Sequence, residues 1–335
     1  MKALNNLINK RHNGFVPFTF FVRIILLYFI SLFLPPQLHA QETLIQTNNA
    51  YQKNIIIVYQ TSQKFSQQLI ENLLGNFKAS DYQAKKLILT PDNKPQTLNY
   101  LSQQKNILLI AIGSATTKTL LDAKIDLPIL STLIPRHVFK SLKQTYKNKK
   151  NWSGLFINQP ISRQFHLISA VIGKNKKTAV LLGPYTKDLS QPLKEVSANI
   201  SIREIEISEQ VPEALNSLNK SFDVLLTIPD PVIYNRNTLR QILLSSYRNK
   251  LPLIGFSQAY VKAGAVAAIY SKPEQISDQI SRIVKQYFML NEFENLEYYP
   301  DDFSVALNKK IARSLGINLA SNQTIIKQIK KAEIN

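Results

Sequence analysis

Residues 222–271 constrain the fold of this chain more than any other stretch. Positions 224–228 form a short apolar run that ends at Pro229-Asp230-Pro231. Positions 238–248 then carry Leu239, Ile242 and Leu243, with the small Ser246, at helical spacing, and 251–256 is a second apolar run bounded by turn residues. Strand, amphipathic helix and strand in that order make a βαβ unit, and such units build parallel sheets. In open parallel sheets, ligands sit beyond the carboxyl ends of the strands. Here those ends carry Asp230 and, after the second strand, Phe256, Ser257 and Tyr260.

The same alternation fills the rest of the chain. Buried strands are expected at 54–59, 86–89, 107–112, 127–133 and 154–157, with helices at 65–77, at 98–104 and from Ser114 onward. The first of these helices puts Phe65, Leu69, Ile70, Leu73, Leu74 and Phe77 on one face. The pattern restarts at Ile161 with a helix that turns Phe165, Ile168, Val171 and Ile172 inward. Strands at 178–182 and 202–207, a helix at 211–218, the βαβ unit and a strand at 265–270 follow. A helix with the stripe Ile276, Ile280, Ile283, Val284, Tyr287 and Phe288 comes next. The fold class expected is α/β: two Rossmann-like lobes with parallel sheets, a ligand cleft between them, and short hinge-like crossings. Lobe 1 is expected to span 41–157, completed by a segment near 272–297, and lobe 2 to span 158–271, completed by 298–335.

Residues 1–40 read as an export leader. Lys2, Lys10, Arg11 and Arg23 are its formal charges, and the apolar run 24–34 is 11 residues long. Pro35-Pro36-Gln37-Leu38-His39-Ala40 closes it, and cleavage is expected after Ala40. A membrane-spanning helix needs about 20 apolar residues, although 15–22 lengthens the leader and leaves an uncleaved anchor as the other reading. The chain has no cysteine, which excludes disulfides, a thiol nucleophile and a lipid-bearing residue at the cleavage point. The mature protein is therefore expected in the periplasm and not as a lipoprotein.

Net charge is +19 for the whole chain, and the leader holds four Lys/Arg and no acid, leaving +15 without it. The densest cluster, Lys140, Lys143, Lys147, Lys149 and Lys150, reads as part of an ordinary loop. No zinc-ligand spacing or aromatic–basic RNA motif accompanies it, so the excess reads as a solvated face and no nucleic-acid partner is expected. Catalytic signatures are also missing from the sequence. There is no Gly-x-Ser-x-Gly elbow and no His-Glu-x-x-His, and beyond the leader the histidines are His137 and His166. Glu204 and Glu206 share one side of a strand by period two and read as a solvated edge. Neither a cofactor nor a metal site is expected.

Several short motifs resemble one family in their order and spacing. They are Ala111-Ile112-Gly113-Ser114-Ala115, Leu127-Pro128-Ile129-Leu130, Asn151-Trp152-Ser153-Gly154 and Pro229-Asp230. Further on come Leu251-Pro252-Leu253-Ile254-Gly255, Tyr260-Val261-Lys262-Ala263-Gly264-Ala265 with Ala267, and Phe303-Ser304-Val305-Ala306-Leu307-Asn308 before a short helix ending at Gly316. The chain resembles the substrate-binding proteins of ABC transporters, with the type I periplasmic-binding fold, from about Asn54 to Leu319. The resemblance implies a periplasmic protein that captures a small polar organic molecule, amino-acid-like or other, by lobe closure. It also implies a membrane permease as partner and a monomer that performs no catalysis. The alternative is a sensory or adaptor protein of the same fold that binds an envelope protein. One departure stands out. Relatives often have Asp-Pro after the fourth strand of the first lobe, where this chain has Ile134-Pro135-Arg136. Loss of that Asp argues against a ligand ammonium, while Arg136 reads either as an anion contact or as a surface residue.

Position in the fold nominates the ligand contacts. Ser114 and Ala115 open a helix after a buried strand, where free N–H groups and the helix dipole suit an anion; Ser114 reads equally as a plain N-cap. Asp230, in what reads as an exposed loop, is either an acceptor for a ligand or a turn residue. Tyr59, Gln60 and Ser62 follow the first strand, and Thr132, Phe256, Ser257 and Tyr260 hold similar places. Gly264 reads as a turn residue. Across the cleft, Ser114 and Asp230 are expected to face one another.

Overall fold

The protein is described by a computed structural model that covers residues 53–60, 63–218 and 221–334. The expected leader and Ser62 lie outside the described residues. In chain order come β1 (Lys53–Tyr59), α1 (Lys64–Lys78), β2 (Tyr82–Ile88), α2 (Lys94–Ser102) and β3 (Ile107–Ile112). Then follow α3 (Ser114–Asp122), β4 (Ile129–Ile134), α4 (Arg136–Thr145) and β5 (Trp152–Phe156). Ile55–Val58 and all of β3 are buried, as continuous runs of Ile, Leu and Val must be when helices cover both faces of a parallel sheet. β2 sits at the edge and alternates half-buried with exposed residues.

The second lobe repeats the scheme with α5 (Ile161–Val171), β6 (Thr178–Leu182), α6 (Ser190–Val196), β7 (Ile200–Glu204), α7 (Val211–Ser217) and β8 (Val224–Thr227). α8 (Leu239–Arg248), β9 (Leu253–Gly255), α9 (Gln258–Ala263) and β10 (Ala267–Tyr270) complete the run. The chain then returns to the first sheet with α10 (Pro273–Leu290) and β11 (Glu297–Tyr298), and ends on the second with β12 (Ser304–Leu307), α11 (Lys309–Ser314) and α12 (Asn322–Ile334). Sheet orders are β11-β5-β4-β3-β1-β2 and β12-β10-β9-β8-β6-β7. Every pairing is parallel except β10 with β12, which is antiparallel. The α10 stripe Ile276, Ile280, Ile283, Val284 and Tyr287 packs with Leu69, Leu73 and Phe77 of α1 over the first sheet.

Three crossings join the lobes, and one buried network ties them. Gln159 Nε2 donates to Ser271 Oγ (2.8 Å), and Ser271 Oγ donates to the Asp302 carbonyl (2.6 Å). Arg163, 6% exposed, donates to Gln159 Oε1 (2.8 Å), to the Pro300 carbonyl (2.7 Å) and to Glu333 (2.5 Å), with its guanidinium over the Phe303 ring.

Two expectations need correction. The lysine-rich stretch is not wholly a loop: residues from Arg136 to Thr145 form α4, which buries Phe139 and Leu142. Its aromatic ring rests on β5 at Gly154, where a Cβ would stand 2.6 Å from the Phe139 ring. Lys143 runs along the same patch, donating to the Trp152 carbonyl (2.9 Å) with its ammonium 4.5 Å from the Trp152 ring centroid. β2 begins at Tyr82, four positions ahead of the expected start at 86, because an edge strand needs no continuous apolar run.

Candidate functional site

β4 ends irregularly. Its register against β5 shifts between Thr132 and Ile134, and Leu133 adopts φ 52°. Bulges of this kind re-aim the chain at strand ends, and here the chain leads directly into Pro135 and α4. The Arg136 N–H donates to Asn158 Oδ1 (2.8 Å), which fixes the start of α4 against the first crossing.

Arg136 and His137 thereby line a cavity of about 260 Å³ between the ends of the two sheets. Facing them from the second lobe are Gln164 on α5, Tyr185 after β6, and Phe256 and Ser257 after β9. Asn158 and Gln159 of the first crossing and Tyr299 of the third form its back. Side chains of the two lobes meet across the gap. The His137 and Tyr185 rings lie 5.6 Å apart, and Lys140 Nζ lies 3.8 Å from Asp188 Oδ2. On the other flank of Ile157, Phe256 and Ser257 a second, more open cavity of about 670 Å³ is lined by Phe65 and Gln68 of α1 and by Ser271 and Lys272.

The electrostatics follow from burial. Desolvation lowers the His137 pKa, against the pull of the Asp230 and Asp188 charges. Burial raises the Tyr299 hydroxyl, which the nearby Arg136 opposes. Arg136 Nε has no hydrogen-bond partner and stands 3.5 Å from Glu297 Oε2. Gln164 is 4% exposed and its Oε1 is buried without a partner. The Ser257 hydroxyl accepts from the Tyr260 N–H as a helix cap (3.4 Å). Among the described residues no group of three or more His, Cys, Asp or Glu could hold a metal ion.

The sequence profile of the ABC transporter substrate binding protein family matches residues 58–331. The chain belongs to that family. No curated protein matches it in sequence. Solved structures do match in fold. The ABC domain from Streptococcus pneumonia in complex with L-Trp is 17% identical, with a TM-score of 0.54 over 83% of this chain and 98% of that one. The ligand-free, open form of a substrate-binding protein with adhesive properties from Clostridium difficile is 20% identical, with a TM-score of 0.63 over 81% and 97%. A conserved domain protein from Vibrio cholerae is 21% identical, with a TM-score of 0.56 over 83% and 98%. At such identities the likeness is one of fold: two mostly parallel α/β sheets of the type I periplasmic-binding kind.

Within this substrate-binding protein the nominated residues separate into groups. Phe256 and Ser257 line both cavities. Tyr260 is buried beneath them, its ring 4.2 Å from Phe256 and its hydroxyl pKa pushed up to about 12 by burial. Thr132 is fully buried and donates to the Ala111 carbonyl (3.4 Å). Gln60 donates to Thr119 Oγ1 (2.8 Å), and Tyr59 packs against the first-lobe core. Ser114 is half-buried and Ala115 exposed at the start of α3, and neither lines the two cavities.

Asp230 requires a correction. It does not sit in an exposed loop: it is 2% exposed, and its carboxylate accepts from the Tyr185 N–H (3.1 Å), Thr186 Oγ1 (3.0 Å) and the Val232 N–H (2.9 Å). Arg136 is likewise no surface residue, with its side chain 24% exposed on the cavity wall. The sequence reading did not select His137, Asn158, Gln159, Gln164, Tyr185 or Tyr299 as contacts. All six come from crossings, helices or loops rather than the first residues after buried strands. Arg136 was the one signal, as a departure from the family's usual motif.

Proposed function

We propose that this protein is the periplasmic substrate-binding component of an ABC transporter. It captures a small polar organic molecule between its lobes and presents it to a membrane permease. The observation that carries this reading is the cavity walled by both lobes, with polar side chains from each and the crossings at its back. Ligand contacts made to both walls exist in the closed form alone, so ligand shifts an open–closed equilibrium toward closure. The mature protein begins after Ala40 and is a periplasmic monomer. Lobe 1 comprises 41–157 with 272–297, and lobe 2 comprises 158–271 with 298–335. No helix of the described residues is long and apolar enough to cross a membrane. Phe256 and Ser257 are ligand contacts in this reading; Tyr260 supports them from behind, and Asp230 holds Tyr185 at the same cavity.

Mass spectrometry of small molecules released from the natively purified protein tests the reading. A single compound at near-equimolar amount, able to rebind the emptied protein, is the expected result. An empty protein that binds no member of a broad metabolite library, yet captures an envelope protein, would replace this reading with the adaptor role.

A further inference from the structure

We infer that the cavity between the lobes takes a small carboxylate with an apolar or aromatic body and no ammonium group. This rests on the reading of the protein as a binding protein and names the chemistry of its ligand. The cavity carries polar groups that lack partners. Arg136 Nε makes no hydrogen bond, and its nearest acid, Glu297, is 3.5 Å away. Gln164, 4% exposed, makes no side-chain hydrogen bond among the described residues: its amide N–H groups can donate to a carboxylate, while its buried Oε1 calls for a donor on the ligand body, such as an indole N–H. Buried polar groups are normally bonded, and an unpaired one is costly, so a ligand that supplies the missing bonds completes the site. Asn158 adds donor capacity, because its Oδ1 is held by the Arg136 N–H (2.8 Å) and its amide N–H groups remain. A guanidinium fork matches a carboxylate with two parallel hydrogen bonds.

The same wall offers no free carboxylate to an ammonium group. Asp188 is the one acid lining the cavity among the described residues, and Lys140 lies against it at 3.8 Å. Glu297 stands by Arg136, and both oxygens of Asp230 are taken by its own surroundings. A cationic group would therefore face Arg136 and His137 without a free carboxylate. The remaining lining, Phe256, Tyr299, Ile157 and Ile228, is apolar or aromatic. At about 260 Å³ the space suits a compact body.

Calorimetry on the mature protein with two matched ligand sets tests this. One set is 3-phenylpropionate, 3-phenylpropionamide and L-phenylalanine; the other is indole-3-propionate, its amide and L-tryptophan. At least one carboxylate should bind, about tenfold or more tighter than its amide and its amino acid, the margin expected of a charge-assisted pair. Arg136→Gln should remove that margin, with Arg136→Lys intermediate. The comparison between ligands needs no variant, so a folding defect in Arg136→Gln would not obscure it. An amino acid or amide that binds as tightly as its carboxylate overturns the inference, as does binding indifferent to Arg136→Gln, or no binding by any of the six. Release of another class of compound from native protein, beside failure of these six, would sink this inference and leave the binding-protein reading intact.

Discussion

Gly183 and Asp230 occupy each other's space: a Cβ on Gly183 would stand 2.4 Å from the Asp230 carboxyl carbon. The missing side chain at the end of β6 lets the carboxylate of the β8 loop lean across and accept from Tyr185 and Thr186. The loops beyond two neighbouring strands are thus locked together, and Tyr185 is held at the cavity rim. Asp230→Ala would leave the Tyr185 and Val232 N–H groups without their acceptor and Thr186 Oγ1 with only the long bond to the Gly183 carbonyl (3.4 Å). A loss of about 2–4 kcal/mol is expected, read as a fall in Tm of roughly 5–15 °C. Gly183→Ala should match it. A Tm within one degree of wild type for both variants would rule out the lock.

Phe139 and Gly154 form a second close approach, with the ring 2.6 Å from a Cβ placed on the glycine. Gly154→Ala should cost about 1–3 kcal/mol through overpacking. Adding Phe139→Leu to the same protein should recover part of that loss, because the smaller side chain vacates the space. Denaturant melts of the single and double variants provide the check, and strictly additive losses would count against this contact.

Much of the fold was legible in the sequence, for a physical reason. The strands at Ile107–Ile112 and Thr178–Leu182 are unbroken apolar runs because helices cover both faces of the sheets. The motif from Asn151 to Gly154 makes sense once Phe139 is seen against Gly154. α4 was hidden because its buried face reduces to Phe139 and Leu142 between lysines that stay in water or lie along the Trp152 ring. Asp230 looked like a loop residue because its neighbours are prolines; its partners Tyr185 and Thr186 lie 45 and 44 positions away. The cavity was the least legible part. Gln164 and Tyr299 reach it from a helix and a crossing, and no local pattern marks residues that meet only after two lobes are assembled.

Arg163 holds the crossings through bonds to Gln159, Pro300 and Glu333. Removing one partner of a buried ion pair is costly, on the order of 3–5 kcal/mol. Arg163→Met should lower stability by about that amount. Glu333→Gln should do less, since the Glu333 side chain is 24% exposed. Equal Tm values for wild type and Arg163→Met would show that the network does not bear on stability.

His137 should make stability depend on pH. Burial lowers its pKa in the folded protein, with Asp230 and Asp188 opposing, so over the window just below its ordinary value the unfolded chain binds more protons than the folded one. Its contribution is complete above about pH 6.5 and is lost as pH falls below it. The groups around it are Arg136 on the same helix start, Tyr185 across the cleft, and the two aspartates. The difference in stability between wild type and His137→Gln, followed from pH 7.5 to pH 5, should shrink or reverse with acid. A constant difference over that range would contradict the assignment.

The distance between the lobes tests the central claim most directly. The chain has no cysteine, so Asn99→Cys on α2 and Asn216→Cys on α7, both exposed, accept a pair of fluorescent dyes without competition. Energy transfer is then measured on the emptied protein while the compound released from native protein is titrated back. The account predicts a shift to a shorter inter-dye distance that saturates together with binding. An unchanged distance under conditions where calorimetry records saturated binding would contradict capture by lobe closure.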